Sequence, residues 1–293
     1  MILLDGKSTA TAFKKELGTE AALIKIQRGR PPHLAAILVG DSGASETYIA
    51  SKVRTCHEIG FDSTLIRFDN SISEKELLDR IREVNADDRI DGLIVQMPLP
   101  LHISVQKITE TISPAKDVDG FHPVNTGRMV QNLPCYIAAT PKGIMLMIEK
   151  YGIETAGRHC VILGRSNIVG TPMSVLMSRN SNPGNSTVTL CHSRTRNLNA
   201  HLQQADILVA ALGNPEFVRS NMVKEGAVVI DVGITRIADN NAKNGYRIRG
   251  DVKFDEVAPK CSYITPVPGG VGPMTIIGLM QNTLMAAKRE VTF

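Results

Sequence analysis

The stretch Val161-Ile162-Leu163-Gly164-Arg165-Ser166-Asn167-Ile168-Val169-Gly170 decides the fold. A short apolar run meets a glycine turn, and the turn leads into a helical segment. This is where a dinucleotide fingerprint belongs: strand, tight turn, then a helix N-terminus whose free N–H groups face phosphate. The standard spacing asks for glycines at 164, 166 and 169, whereas the chain has Gly164, Ser166 and Gly170. Taken alone, the stretch also fits an ordinary βα turn. Apolar strands on either side extend the pattern: His159 to Leu163, Thr187 to Leu190, Ile207 to Ala211 and Ala227 to Asp231. Alternating strands and helices of this kind make a parallel sheet covered on both faces.

The end of the next strand carries more information. NAD enzymes tend to place an acid there, on the ribose 2′-hydroxyl. Here Thr187 to Leu190 runs into Cys191-His192-Ser193-Arg194-Thr195, without a carboxylate. Arg194 and Arg165 can instead pair with a 2′-phosphate, and Ser193 can donate to it. That pattern points to NADP, the alternative being arginines that are simply solvated.

Upstream lies a first αβ series. Leu34 to Val39, Thr64 to Phe68 and Gly92 to Gln96 read as strands, and Phe13, Leu17, Ala21 and Ile24 share one helical face. A helix over about Ser45 to Ile59 stops at Gly60, and Leu77, Leu78, Ile81 and Val84 mark another. An irregular Pro/Gly-containing stretch, Pro114 to Pro141, follows, a length usually tied to function or a domain crossing. Near the end, Thr265 to Pro273 reads as a rigid glycine-rich loop before an apolar helix, Thr275 to Lys288.

Ser45, Tyr48 and Lys52 fall on one helical face, at spacings of three and four. An unperturbed lysine, near pKa ~10.4, is no base at neutral pH, but desolvation exposes a usable lone pair. The plain alternative is an amphipathic face with Tyr48 half-buried and Lys52 in water. Gln96 stands at the carboxyl end of a buried strand, where parallel sheets bind ligands, and its amide can orient a substrate or a lysine. Asp119, before Gly120, can accept paired N–H donors of a heterocycle, or merely form an Asx turn.

Composition narrows the class. The chain has 293 residues, 43 % hydrophobic and 21 % charged, which suits two globular domains. Lys+Arg exceeds Asp+Glu by 33 − 29 = 4, and Trp is absent, so no nucleic-acid partner is expected. The densest basic stretch, Arg28-Gly29-Arg30 before Pro31-Pro32, reads as a helix C-terminus. No apolar run approaches the ~18 residues of a membrane span, and nothing frames Met1 to Leu4 as a signal peptide. The five cysteines lack a Cys-x-x-Cys pair, so buried thiols are expected rather than a metal site. A cytoplasmic, cofactor-using enzyme is the class that survives.

These motifs also occur together in a known family. Ser45-x-x-Tyr48-x-x-x-Lys52-x-x-x-Cys56, Gln96-Met97-Pro98-Leu99-Pro100 and Lys116-Asp117-Val118-Asp119-Gly120 come first. Gly164-Arg165-Ser166-x-Ile168-Val169-Gly170-x-Pro172 and Pro268-Gly269-Gly270-Val271-Gly272-Pro273-Met274-Thr275 follow in register. In that order the sequence resembles bifunctional methylenetetrahydrofolate dehydrogenase/methenyltetrahydrofolate cyclohydrolase over nearly its whole length. The resemblance implies an α/β fold of two lobes. One is an N-terminal αβα folate-binding catalytic lobe, residues 1–140 plus 275–293. The other is a Rossmann-like NADP-binding lobe, residues 141–274, with the active-site cleft between them. It further implies that Tyr48 stacks on the p-aminobenzoyl group, Asp119 anchors the pterin and Lys52, tuned by Gln96, is the central cyclohydrolase residue. Ser45 and the loop of Pro268, Gly269, Gly270 and Thr275 would border the folate. Gly164, Arg165, Ser166 and Ile234 would contact NADP. A homodimer in one-carbon metabolism supplying purine biosynthesis is implied too, without the formate-ligase extension of trifunctional forms.

Two other readings compete. A short-chain dehydrogenase also uses Tyr-x-x-x-Lys, but there the nucleotide turn precedes the pair, whereas Tyr48 and Lys52 precede Gly164. A non-catalytic NADP sensor would need no meeting of Lys52, Gln96 and Asp119.

Overall fold

The computed structural model describes residues 1–41, 43–239 and 245–293. In chain order, the first elements are β1 (Ile2–Leu3), α1 (Gly6–Arg28), β2 (His33–Val39), α2 (Gly43–Glu58), β3 (Asp62–Phe68), α3 (Glu74–Ala86) and β4 (Gly92–Val95). Then come α4 (Val105–Thr111), α5 (Pro123–Val130), α6 (Ala139–Lys150), β5 (His159–Leu163), α7 (Gly170–Ser178), β6 (Thr187–Cys191) and α8 (Leu198–Leu202). The last are β7 (Ile207–Ala210), β8 (Val228–Asp231), β9 (Thr235–Ala238), β10 (Tyr246–Arg249), α9 (Phe254–Val257), β11 (Tyr263–Ile264) and α10 (Val271–Lys288).

These elements form two compact units, Thr11–Ala139 with Ile276–Phe293, and Met1–Ala10 with Thr140–Thr275. Residues 1–10, read from sequence with the first lobe, cluster with the second unit because β1 pairs in parallel with β11. That pairing had no sequence signal: two residues are too short for a period.

In the unit built on Thr11–Ala139, β2 lies between β3 and β4 in a parallel three-stranded sheet. From Leu34 to Val39 every residue of β2 is buried, as are all four of β4. Ala35, Ile37 and Val39 share one face, since strand side chains alternate, and pack with Leu93 and Val95 against Leu77 and Ile81 of α3 and Ile108 of α4. Ser73 caps α3, accepting from the Glu76 N–H while Glu76 reaches back. At the other end of the strands Asp91 anchors the chain. Its carboxylate takes Arg28 at 3.0 Å, Arg30 at 2.6 Å and the His33 N–H at 2.9 Å. Burial would raise this carboxyl, but those hydrogen bonds and charges hold it below its usual range. Arg28 does end α1, and Gly29 beyond it has φ +73°, the left-handed stop expected there.

In the second unit six strands run in the order β1-β11-β8-β7-β5-β6, every pair parallel. Val161, Leu163, Leu208, Ala210 and Val229 supply one core face. β9 and β10 form a separate antiparallel pair. Two expectations change. The stretch from Pro114 to Pro141 contains α5, with Pro123 in its first turn, so it is only partly irregular. α10 starts at Val271 rather than Thr275, because Gly272 and Pro273 are tolerated in a first turn whose N–H groups have no partner inside the helix. All five cysteines are buried. Among the described residues no helix is long and apolar enough to cross a membrane.

Candidate active site

α2 leaves the carboxyl end of β2, and long helical side chains sweep back toward their helix's N-terminus. Lys52, in the middle of α2, therefore reaches the carboxyl edge of the sheet. Gln96 waits there, one residue past β4, its N–H bonded to the Ile37 carbonyl at 2.9 Å. Lys52 Nζ donates to Gln96 Oε1 at 3.2 Å. The Gln96 amide is aimed by its own Nε2, which donates to the Met97 carbonyl at 2.8 Å. Lys52 Nζ also lies 4.8 Å from the centre of the Tyr48 ring. Tyr48 is half-buried and Ser45 is buried on the same face of α2.

Lys52 is only 4 % exposed, so the water-facing reading of this helix fails. Burial lowers its pKa, against the opposing pull of Asp119 and Cys56. Burial likewise raises Asp119, against the pull of Lys52. Both groups are pushed toward their neutral forms, the setting that frees an amine lone pair. Cys56, one turn beyond Lys52, is pushed up to about 12 by burial, so it is a neutral thiol and packs its sulfur 3.6 Å from Met280 Sδ.

Asp119 sits where it does because of its neighbours. Asp117 makes an isolated parallel bridge to Leu93, extending the sheet beyond β4. Its own carboxylate turns inward, taking the His122 N–H at 2.8 Å, the Phe121 N–H at 3.2 Å and Asn125 Nδ2 at 2.9 Å. Gly120 has φ +72°, and a Cβ there would lie 2.6 Å from both Ile137 C and Ala138 N, so only glycine fits. From behind, Asn282 of α10 donates to the Val118 and Ile137 carbonyls, both at 2.8 Å. Sequence reading missed Asn282 and the inward role of Asp117. The signal for Asn282 is faint, since a second amide, Gln281, stands beside it in the mostly apolar α10.

The second unit holds the remaining expected residues. Gly164 has φ +118°, and a Cβ there would come within 2.1 Å of the Ala211 carbonyl oxygen. One on Gly170 would meet the Gly164 oxygen at 2.0 Å. These two glycines make a cradle of bare backbone at the start of α7, pressed so closely on its neighbours that no side chain fits at either position. Ser166 Oγ accepts the Val169 N–H at 3.2 Å and holds the turn's shape. β5 and β6 are paired at Leu163 and Cys191, so Arg165 and Ser193-Arg194 leave the same sheet edge. Arg165, Ser193 and Arg194 are exposed, and neither arginine pairs with a carboxylate among the described residues. Ile234, past the end of β8, is 63 % exposed, unusual for an apolar side chain. A dinucleotide fits these features: glycines for backbone approach, a helix start for pyrophosphate, cations for an additional phosphate.

The Pro268 loop belongs to this unit as well. Pro268 is exposed and Gly269 has φ +109°. The loop is clamped on α1, where a Cβ on Gly6 would fall 1.7 Å from the Gly270 oxygen. Thr275 is buried, its hydroxyl 3.0 Å from Thr140 Oγ1.

A parallel sheet ending in a glycine cradle with loose arginines, plus a desolvated lysine beside an amide and a carboxylate, defines a two-unit dinucleotide-dependent α/β enzyme. Comparison with known proteins makes the class specific. The tetrahydrofolate dehydrogenase/cyclohydrolase catalytic domain matches residues 4–119, and the NAD(P)-binding domain of the same family matches residues 138–291. The chain belongs to the tetrahydrofolate dehydrogenase/cyclohydrolase family. The bifunctional protein FolD of Cytophaga hutchinsonii is 62 % identical over 287 residues, 98 % of this chain and 99 % of the relative. The bifunctional FolD structure from Campylobacter jejuni is 44 % identical, with TM-score 0.92, covering 99 % of this chain and 100 % of that one. The Trypanosoma brucei N5,N10-methylenetetrahydrofolate dehydrogenase-cyclohydrolase, solved with NADP cofactor and an inhibitor, is 35 % identical with TM-score 0.94. It covers 100 % of this chain and 99 % of its own. Family membership removes the short-chain dehydrogenase reading.

Proposed function

We propose that this chain, a bifunctional NADP-dependent methylenetetrahydrofolate dehydrogenase and methenyltetrahydrofolate cyclohydrolase, centres its hydrolytic step on Lys52. The observation that carries the assignment is the buried Lys52 amine, 3.2 Å from Gln96 Oε1 and electrostatically coupled to Asp119.

In the first step the methylene carbon of 5,10-methylenetetrahydrofolate, between two nitrogens, gives up a hydride. The nitrogen lone pairs stabilise the cation, so the chain's main task is positioning. NADP, when bound, supplies the hydride acceptor. Tyr48 offers a flat face to the aromatic part of the folate, Asp119 accepts from its pterin N–H groups, and Ser45 borders the same site. Pro268, Gly269, Gly270 and Thr275 border the folate. Gly164, Arg165, Ser166, Ser193, Arg194 and Ile234 hold the cofactor. In the second step water attacks the methenyl carbon. Neutral Lys52 orients that water or takes its proton, and Gln96 keeps the amine aimed. A cationic substrate beside the amine further disfavours its protonation. The product is 10-formyltetrahydrofolate, a carrier for one-carbon metabolism. The homodimer that the resemblance implies and the cytoplasmic location expected from the sequence belong to this proposal too.

Lys52→Met tests it. Methionine keeps the apolar stem and removes the amine. Loss of a positioned base costs about 10²–10⁴-fold, so cyclohydrolase activity falls to near the spontaneous rate while NADPH formation stays measurable. Hydrolysis at the parental rate, after subtracting background, overturns the role of Lys52.

A further inference from the structure

The turn after β6 carries two half-buried side chains that neither step uses. β6 ends at Cys191, and His192 to Thr195 make a tight turn with Ser193 and Arg194 at its two central positions. The Thr195 N–H donates to the His192 carbonyl at 2.9 Å, which closes the turn. Two side chains then lock it. Thr195 Oγ1 accepts the His192 N–H at 2.9 Å, and His192 Nδ1 accepts the Arg194 N–H at 3.2 Å. The Thr195 hydroxyl also bonds the buried Cys191 thiol, tying the turn to its strand. The ring of His192 thus does what an Asx side chain does elsewhere, accepting the N–H two residues on.

These locks sort the donors of the turn. The N–H groups of His192, Arg194 and Thr195 are used within it. Among the described residues the Ser193 N–H, the Ser193 hydroxyl and the Arg194 guanidinium have no partner. Ser193 and Arg194 are exposed, whereas His192 and Thr195 are half-buried. The side chains that lock therefore face inward and the donors that remain face outward.

The turn is also joined to the glycine cradle. The Gly164 N–H donates to the Cys191 carbonyl at 2.9 Å, one residue before the turn begins. Arg165 follows Gly164 directly and leaves the same sheet edge as Ser193 and Arg194. Two guanidinium groups, a hydroxyl and a backbone N–H, none of them paired with a carboxylate among the described residues, make a donor set for a phosphate. NADP has a 2′-phosphate that NAD lacks. Donors already held in place bind such a group more tightly than mobile ones, which must be ordered on binding.

We propose that His192 and Thr195 are positioning residues for cofactor choice: by locking the turn after β6 they hold Ser193 and Arg194 where the 2′-phosphate of NADP is recognised. The proposal rests on assigning this sheet edge to NADP. Each side chain acts through the two residues between them rather than on the cofactor.

The test measures Kd for NADP and for NAD by calorimetry on the full chain, at about pH 8, above the range in which imidazoles ordinarily charge. The two cofactors differ only in the 2′-phosphate, so the ratio of their Kd values cancels a general loosening of the unit. Thr195→Val keeps the side chain's shape and removes the hydroxyl, and His192→Leu removes the ring acceptor. Each should weaken NADP by about three- to tenfold, the range of one lost hydrogen bond, and leave NAD within about twofold. Thr195→Ser keeps a hydroxyl, and His192→Asn restores an acceptor for the Arg194 N–H as an Asx turn. Both should hold the ratio within about twofold of the parent. Equal weakening of the two cofactors, or an unchanged NADP Kd in either Thr195→Val or His192→Leu, overturns the proposal. So does a His192→Asn variant as impaired as His192→Leu, which would put the ring itself on the phosphate. If the variants at one position fail to fold, those at the other decide alone. A parent that binds NADP no more tightly than NAD would instead overturn the 2′-phosphate assignment beneath it.

Discussion

Changing Gln96 should move the pH profile of the hydrolytic step in a direction set by the replacement. Gln96 Oε1 stands 3.2 Å from Lys52 Nζ, and the amide is held by the Met97 carbonyl. Gln96→Glu places a negative charge at that oxygen. At an effective dielectric of about 20, unit charges 3.2 Å apart attract by roughly 5 kcal/mol, and about 1.4 kcal/mol is one pH unit. Desolvation of the new carboxylate and loss of the existing amide bond offset much of this, leaving a rise in the Lys52 pKa of about two units. A base works only when unprotonated, so below both pKa values the free amine falls about 100-fold, and hydrolysis with it. Gln96→Leu removes an acceptor that favours the ammonium and shifts the acid limb the other way, by about one unit. The assay is the decay of methenyl-tetrahydrofolate absorbance across pH, corrected for spontaneous hydrolysis, with NADPH formation followed in parallel. Acid limbs that move in the same direction in both variants, or do not move, would refute the free-base role.

Other outcomes follow from the same geometry. Arg194→Ala should weaken NADP by about 10–100-fold, the size of a lost charge-assisted hydrogen bond, and leave NAD nearly unchanged; equal effects on the two cofactors remove the basis for the 2′-phosphate assignment. Gly120→Ala must place an L-residue at φ +72° and a Cβ 2.6 Å from backbone atoms. A loss of about 3 kcal/mol in stability and a raised folate KM are expected, and a parental melting curve would contradict the close approach. Asp91→Ala leaves Arg28 and Arg30 without their carboxylate and should cost about 2–3 kcal/mol, discounted because both arginines keep solvent contact. The folded pKa of Asp91 is depressed, so its contribution is present above the unfolded value of ~3.9 and lost as pH falls through the folded value. Acid unfolding should therefore differ between parent and Asp91→Asn, and superimposable curves would rule the latch out.

Much of this was readable in the residues, and the failures share a cause. Strands such as β2 and β5 announce themselves because a buried parallel strand must be apolar on both faces. Lys52 and Gln96 could be named from helix spacing and strand ends, yet burial of Lys52 could not, since the same spacing describes a solvated face. β1 and β11, two residues each, carry no periodicity, and only their pairing with each other and with β8 makes them strands. Asp117, Asp231, Asp251 and Asn282 look in sequence like ordinary loop or helix polar residues. Asp231, Asp251 and Asn282 meet backbone groups brought to them by distant segments, which no local window contains, whereas Asp117 takes N–H groups of nearby Phe121, His122 and Asn125 in a turn that no periodicity announces.

The lysine's surroundings have a history in the order of synthesis. Cys56 rests on Met280, and Asn282 grips the carbonyls of Val118 and Ile137. A nascent chain emerging from the ribosome has α2 and β4 long before it has α10. Until the last helix is released, Cys56 and the Val118 and Ile137 carbonyls lack these partners. The proposed hydrolytic centre is thus completed late, and polypeptides cut short before residue 276 should retain foldable strands but lack the helix that braces the Asp119 segment.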